Sequence, residues 1–434
     1  MSGDRNIFVV GLNDFNRQRL ERLRGAEHWR FHGVIPPEAV YDTEEFDIAA
    51  MLAEATAQLE AFDGPIDAIV GYMDFPVSTM LPVLCERFGT STTSLSSLLK
   101  CEHKYWSRRV QREVIPDFIP NFTAFDPFDD EALTRIGEAG LFFPFFIKPI
   151  KSSGSRLGFR IDTPEDFYQA IDQLRDSIGT IADPFNTVLE YAHLPPEIAA
   201  VDGHFCMAEG IIGGWQCTVE GYVFDGEVVS YGIFDSLRYP QVLSFFHYRY
   251  PSGLPDAIQA KMRELTDTMM THIGYDNAAF NVEYFWDEVQ DRIWLLEINT
   301  RISQSHCDLF EKVDGVSNQQ VAIDLGLGQR PDMPHREGKF AMAAKFFHRV
   351  FFTDALVTRV PTPEEVASLE ADFPGTMVEI QVAEGQWLSS LAEQDSYSYA
   401  LAHVWMGAAT AEQLLADFEQ LVARMVFEFD QIQG

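Results

Sequence analysis

Two acidic residues in this chain are spaced for metal chemistry. Glu283 lies in the run 281–285 (NVEYF), and Glu297 lies in 295–306 (LLEINTRISQSH). Both runs read as short strands, and the polar stretch 287–291 between them reads as a turn. An antiparallel hairpin about Val289 and Gln290 sets Glu283 opposite Glu297, where directly opposed Cβ atoms are about 5 Å apart. Asn299 falls on the same face as Glu297, because strand side chains alternate. Two carboxylates and an amide oxygen are ligands suited to Mg²⁺. Like charges that close repel unless a cation lies between them. Arg301 shares that face if the strand continues, placed to stabilise a phosphoryl group or an oxyanion.

A second candidate site precedes the hairpin. The apolar run 142–147 reads as a buried strand with Lys148 at its end, followed by Pro149. The loop Ser152-Ser153-Gly154-Ser155-Arg156-Leu157-Gly158 comes next, then a second strand, 159–161. Small residues let backbone N–H groups approach phosphate oxygens, and a lysine adds a point charge. The loop is neither G-x-G-x-x-G nor G-x-x-x-x-G-K-[ST].

These side chains need elements to position them. A strand at 6–10, a helix at 15–23, a strand at 66–70 and a helix at 77–88 predict a small parallel α/β unit. A helical stretch at 100–113 carries Lys104. An extended connection follows at 115–122, then helices at 131–140 and 164–174. Residues 220–228 predict a hairpin on the Asp225-Gly226 turn. The aromatic and basic stretch 238–250, with Arg238, His247 and Arg249, reads as a loop over a substrate or as packing. A helix at 255–273 leads into the metal hairpin, and a packing helix follows at 315–327. Beyond Pro331 the reading gives strands near 341–347 and 376–382 and a last helix at 411–427.

Together these segments resemble the ATP-grasp superfamily. The residues carrying the resemblance are Lys104 in CEHKYWS, Lys148 with its Ser/Gly loop, the run VLEY at 188–191, Glu283, and Glu297-Ile298-Asn299-Thr300-Arg301. The likeness covers residues 100–328. It implies a mixed α/β (α+β) ATP-grasp fold: an N-terminal parallel α/β domain over 1–100, an ATP-grasp domain over 101–330 in subdomains 101–187 and 188–330, and a C-terminal α+β extension over 331–434.

The resemblance also implies chemistry. ATP would bind with Mg²⁺ (or Mn²⁺) held by Glu283, Glu297 and Asn299. Phosphates would meet Lys104, Lys148, Ser152, Ser153, Gly154 and Ser155. The run 188–191 would be the hinge strand along adenine, with Glu190 accepting from the amino group and backbone near Tyr191 and Ala192 reading the ring. The ribose contact would be Glu197 or Gln216, because Gln216 stands where the family carries Glu. Residues 195–210 look like extra chain. The reaction implied is carboxylate–amine ligation through an acyl phosphate, releasing ADP and phosphate, with Lys148 and Arg301 assisting and small-molecule carboxylate and amine substrates. A homodimer is compatible with this reading. Two alternatives stand beside it. One is a carboxylase like the biotin-dependent enzymes, against which Ser305 replaces the expected Glu base. The other is an ATP-binding module without turnover.

Composition agrees. The chain has 434 residues, 46% hydrophobic, and a formal charge of −34, which argues against nucleic-acid or anionic-membrane partners. No apolar run reaches the roughly 18 residues that cross a bilayer. The start, MSGDRNIFVVGL, does not read as a secretory signal. Five cysteines without C-x-x-C spacing read as reduced thiols in a cytoplasmic protein.

Overall fold

The run Ile7–Val10 is buried at every position, the pattern of a strand covered on both faces. It belongs to β1 (Arg5–Val10), which pairs in parallel with β2 (Trp29–Val34) and β3 (Ala68–Val70) in the order β2-β1-β3. A computed structural model describes residues 4–41, 46–152, 157–240, 242, 244–351, 354–391 and 398–433.

A second sheet is antiparallel and four-stranded. It holds β4 (Phe122–Phe125), β5 (Phe145–Pro149), β6 (Phe159–Ile161) and β7 (Cys206–Gly210) in the order β4-β7-β5-β6. The helix Pro164–Ser177 starts on a capping box, Thr163 with Asp166, and has proline at its first position. Its Phe167, Ala170, Ile171 and Leu174 recur at helical spacing and pack on Phe145, Ile147 and Ile161. Each such large side chain contributes about 2 kcal/mol by leaving water.

The third sheet is antiparallel and eight-stranded. Its members begin with β8 (Trp215–Phe224), β9 (Glu227–Arg238), β10 (Phe245–Tyr250), β11 (Ala278–Asp287) and β12 (Arg292–Asn299). Beyond the hairpin come β13 (Met342–Val350), β14 (Asp354–Arg359), β15 (Met377–Ile380), β16 (Tyr399–Ala408) and β17 (Glu428–Gln433). The sheet order is β12-β11-β8-β9-β10-β13-β16-β15, while β14 and β17 form a separate pair. Of the strands after residue 331, β13, β15 and β16 therefore continue the sheet that carries the hairpin of Glu283 and Glu297. Asp225 and Gly226 turn β8 into β9 with φ of 50° and 76°, the left-handed pair that a two-residue hairpin requires.

Four readings change. Residues 188–191 are not a strand: Val188 and Leu189 end the helix Gly179–Leu189, and Glu190 caps it. Ala182, Phe185, Val188 and Leu189 are all buried at i, i+3, i+6 and i+7, a helical face that a four-residue apolar run conceals. Residues 195–210 are not simply extra chain, because they end in β7, a central strand of the small sheet. Within the stretch 238–250, Arg238 ends β9 and Phe245–Tyr250 form β10, so His247 and Arg249 lie in a strand packed between β9 and β13 rather than in a loop. The stretch 100–113 is two helices, Leu95–Glu102 and Lys104–Val114. They break at His103, whose ring accepts from Trp106 N at 3.2 Å and lies 2.7 Å from Val201 O. Burial lowers this imidazole to about 4, so it is neutral there.

Candidate active site

The hairpin register sets Glu283 opposite Glu297 and Asn281 opposite Asn299, and a bulge follows Glu283. Asn299 donates to Asn281 Oδ1 at 2.8 Å and to Glu283 Oε1 at 3.1 Å. Gln216 lies on β8 beside the hairpin. It donates to Glu283 Oε2 at 3.0 Å and accepts from Arg238 at 2.7 Å. Burial, and then the neighbouring Glu297, push the Glu283 carboxyl up to about 7. Glu297 goes the other way. Burial opposes its charge too, but Lys104 and Lys148 outweigh it and hold it below the usual carboxylate range.

Lys104 opens its helix and reaches back across the small sheet. Its ammonium donates to Ser152 O at 2.9 Å and to Glu297 Oε2 at 3.4 Å. Lys148, on β5, pairs with Glu209 Oε2 at 2.6 Å. Arg108 bonds the other Glu209 oxygen at 2.5 Å and Leu296 O on β12 at 2.8 Å, tying the helix Lys104–Val114 to the hairpin of the paired glutamates. Burial opposes the Glu209 charge, but Arg108 and Lys148 bring its carboxyl down to about 2. Burying ions is costly unless each is paired, and here two cations share one carboxylate.

Three more charged residues complete the cluster. Lys151 pairs with Glu102 and, at 3.5 Å, with Asp74. Asp74 accepts from Arg301 at 3.1 Å. Thr300 donates to Glu102 at 2.5 Å. Burial opposes the Asp74 charge, but Lys151 and Arg301 hold it well below the usual range. Arg301 therefore reaches the N-terminal unit across 227 positions of sequence.

The cluster thus unites Lys104, Lys148, Gln216, Glu283, Glu297, Asn299 and Arg301, with Ser152 contributing its carbonyl. Ser153, Gly154 and Ser155 lie outside the described residues. Glu190, Tyr191 and Ala192 follow a helix end, so they do not form a strand along a ring. Glu197 is exposed on the short helix Pro196–Ala199, with its ion pair to Arg109 at 4.0 Å. Sequence reasoning missed Asp74, Glu102, Arg108, Lys151 and Glu209. Of these only Glu209 left a trace, as a lone acid ending an apolar run before Gly210. A surface hollow bounded by Asp117, Phe118, Lys261 and Arg292 lies at the turn end of the hairpin, away from the paired carboxylates. Among the described residues no group of three or more His, Cys, Asp or Glu is arranged to hold a metal ion, so a metal here draws on the two glutamates and the amide. No helix among them is long and apolar enough to cross a membrane.

Part of the chain matches a known family model, and its fold matches solved structures. Residues 141–308 match a family model described as an ATP-grasp domain. A curated relative, the D-alanine–D-alanine ligase of Parasynechococcus marenigrum, is 27% identical over 198 residues, 45% of this chain and 51% of that protein. The chain thus spans about half the length of the curated relative it matches. An L-amino acid ligase from Bacillus licheniformis superposes with a TM-score of 0.75 at 13% identity, covering 99% of this chain and 100% of that one. The ATP complex of an Aspergillus clavatus carboxyaminoimidazole ribonucleotide synthase superposes at 0.66 with 16% identity, covering 97% and 98%. These structures share the mixed α/β fold.

Proposed function

We propose, starting from a chain that carries an ATP-grasp domain, that it is an ATP-dependent carboxylate–amine ligase. A substrate carboxylate attacks the γ-phosphate of ATP in line, giving an acyl phosphate and ADP. An amine then displaces phosphate and forms an amide or peptide bond. The observation that carries this reading is the buried, directly opposed pair Glu283 and Glu297, flanked by Lys104, Lys148 and Arg301.

The pair fits Mg²⁺ or Mn²⁺. Two facing carboxylates, one pushed up to about 7 by burial and by the other, form a charge arrangement that a divalent cation balances. Glu283, Glu297 and Asn299 would hold the ion, with Gln216 and Arg238 fixing the Glu283 carboxylate. When bound, the ion neutralises charge on the phosphates. Lys104, at the start of its helix, and Lys148, on the small sheet, would do the same. Ser152 holds the Lys104 ammonium, and Ser153, Gly154 and Ser155 complete the loop by resemblance. Glu209 pairs with Lys148 and holds it in place, and Arg108 fixes the other Glu209 oxygen. Arg301, anchored by Asp74, stabilises the oxyanion of the acyl step. Because Gln216 is committed to Glu283 and Arg238, we assign it to the metal site rather than to the ribose. The five cysteines, all buried and free, support placing the reaction in the cytoplasm.

The test is product analysis. Purified protein with Mg·ATP and pooled amino and organic acids should release ADP and phosphate only when a carboxylate and an amine are both present. AMP with pyrophosphate would replace this mechanism with adenylation. Tight ATP binding without turnover in any pool would favour the binding-module reading.

A further inference from the structure

Ligation through an acyl phosphate needs a group that takes a proton, because an amine attacks only as its free base. The cluster described above has no carboxylate to spare. Glu283 and Glu297 are assigned to the metal, and Glu209, Glu102 and Asp74 are ion-paired. One polar assembly on the same sheet face is still unused. Glu220, on β8, stands opposite Asn281, which stands opposite Asn299. Phe234, on β9, stands opposite Thr218, which stands opposite Glu283. Direct cross-strand partners share a face, so Glu220 and Phe234 lie on the face of the paired glutamates. Phe234 is two strands from Glu283, and Glu220 two strands from Asn299, about 10 Å along the sheet in each case.

His306 closes over this spot. It ends the short turn Gln304–His306, soon after Arg301, and leads into the helix Cys307–Asp314. Its ring stacks on Phe234 at 3.8 Å, within 5° of parallel, and Tyr248 meets it edge-on. Nδ1 lies 2.8 Å from Glu220 Oε1. The Ser303 N–H donates to the same oxygen at 3.1 Å, and Tyr231 donates to Oε2 at 3.2 Å. Glu220 is fully buried, and a buried carboxylate is tolerated only where donors satisfy it. A carboxylate accepts, so Nδ1 carries the hydrogen and Nε2 keeps its lone pair. Nε2 has no partner among the described residues, yet it is not one of the sealed side-chain atoms that lack one. It therefore belongs to the 3% of His306 that stays open.

The surroundings suit a base. Burial lowers this imidazole, Glu220 raises it, and Arg301 and Lys345 lower it again. The balance falls below the ordinary value, so the ring is neutral at pH 7. Lys345, itself buried on β13, donates to the neighbouring Ser305 Oγ at 3.1 Å. Burial raises Tyr231, Tyr248 and Cys307, which stay protonated around the ring. The Arg301 charge acts on both His306 and Glu220, so the imidazole and the oxyanion group are neighbours. We propose that His306, held by Glu220, is the general base of the amine half-reaction, and that its Nε2 takes a proton from the ammonium of the incoming amine. The free amine attacks the acyl carbon, and the new C–N bond replaces the C–O bond to phosphate. The departing phosphate takes the second proton, and the third stays on the amide. This inference rests on the ligase reading, while the tautomer of His306 does not.

Hydroxylamine separates the two. Its nitrogen is unprotonated at pH 7, so it captures an acyl phosphate as the hydroxamate without help from a base. Wild-type protein with Mg·ATP and the pooled acids should form amide with amines and hydroxamate with hydroxylamine. His306→Gln should lower the ratio of amide to hydroxamate rates by at least about a hundredfold. Glu220→Gln, which keeps the volume and removes the charge, should lower that ratio by at least about tenfold. A structural role lowers both rates alike, so an unchanged ratio in the two variants overturns the base and leaves the ligase reading standing. No hydroxamate from the wild type with any acid strikes the ligase reading, and the base role with it. Nitrogen-15 NMR of histidine-labelled protein checks the ring without turnover, with the signal assigned by its loss in His306→Gln or its shift in Glu220→Gln. At pH 7 His306 should be neutral with its hydrogen on Nδ1. A hydrogen on Nε2 overturns the proposal whatever the variants do.

Discussion

Two cationic regions of this molecule differ in who supplies the counter-charge. Around the hairpin, Lys104, Lys148, Lys151, Arg108 and Arg301 each contact a carboxylate of the chain itself. At the far strands of the same sheet, Lys345 on β13 and Arg19 on the N-terminal helix Asp14–Leu20 contact a hydroxyl, aromatic rings and a thioether. The first region is balanced internally and so held in fixed geometry. The second is held by neutral groups. Catalysis needs groups positioned before the substrate arrives, a need that internal balance meets.

The comparison can be broken most sharply at the hairpin. Glu297→Gln should lower ADP release by roughly three orders of magnitude, since it removes one of two carboxylates a metal would need, and circular dichroism should report an intact fold. Wild-type turnover in that variant would end the metal assignment. Next in size is stability. Glu209→Gln should cost about 3–5 kcal/mol in urea unfolding, because it leaves the buried Arg108 and Lys148 without a carboxylate to balance their charge.

The opposite sign is expected in the other region. Lys345→Met should raise stability by about 1–3 kcal/mol at pH 7, because a buried ammonium without a partner is replaced by an apolar side chain of similar length. The pH dependence of that difference follows. The folded-state pKa is about 8 against an ordinary 10.5, so the unfolded chain binds more protons between those values. Stability of the wild type therefore rises with pH across that window. The gap to Lys345→Met should be full below about pH 8 and close as pH approaches 10.5. Arg19, Arg349, Glu379, His403 and Cys307 all face this ammonium, so the variant difference is the quantity to plot rather than the absolute curve. A flat difference would mean the ammonium is already balanced. The smallest expected effect is kinetic: Lys148→Ala should raise the KM for ATP about tenfold and change the amine KM little. The reverse would move Lys148 to the amine.

How much of this was legible in the sequence depended on distance along the chain. The hairpin could be read because register follows from alternation once a turn is placed, and Glu283 does face Glu297. The parallel N-terminal sheet and most helices announced themselves through apolar periodicity. β7 did not. Its CMAEG has no β-branched residue and is buried at four of five positions, so it shows neither strand propensity nor alternation, and VLEY drew the strand assignment instead. Lys151 with Asp74, and Arg301 with Asp74, meet across 77 and 227 positions. Nothing local marks such partners. Arg19 and Lys345 are drawn together only by the packing of the N-terminal helix against strands near the end of the chain.

The order of the large sheet has a consequence for how the protein is made. β10 pairs on one side with β9, its near neighbour in sequence, and on the other with β13, where His247 meets Phe346. During synthesis every strand from β8 to β12 leaves the ribosome before β13 does. Until then the outer rim of β10, rich in aromatic side chains, presents unsatisfied backbone groups to whatever strand passes. A nascent chain of this protein is therefore exposed to wrong pairing along β10 until β13 has emerged, and a chaperone that shields it would have to hold on until then.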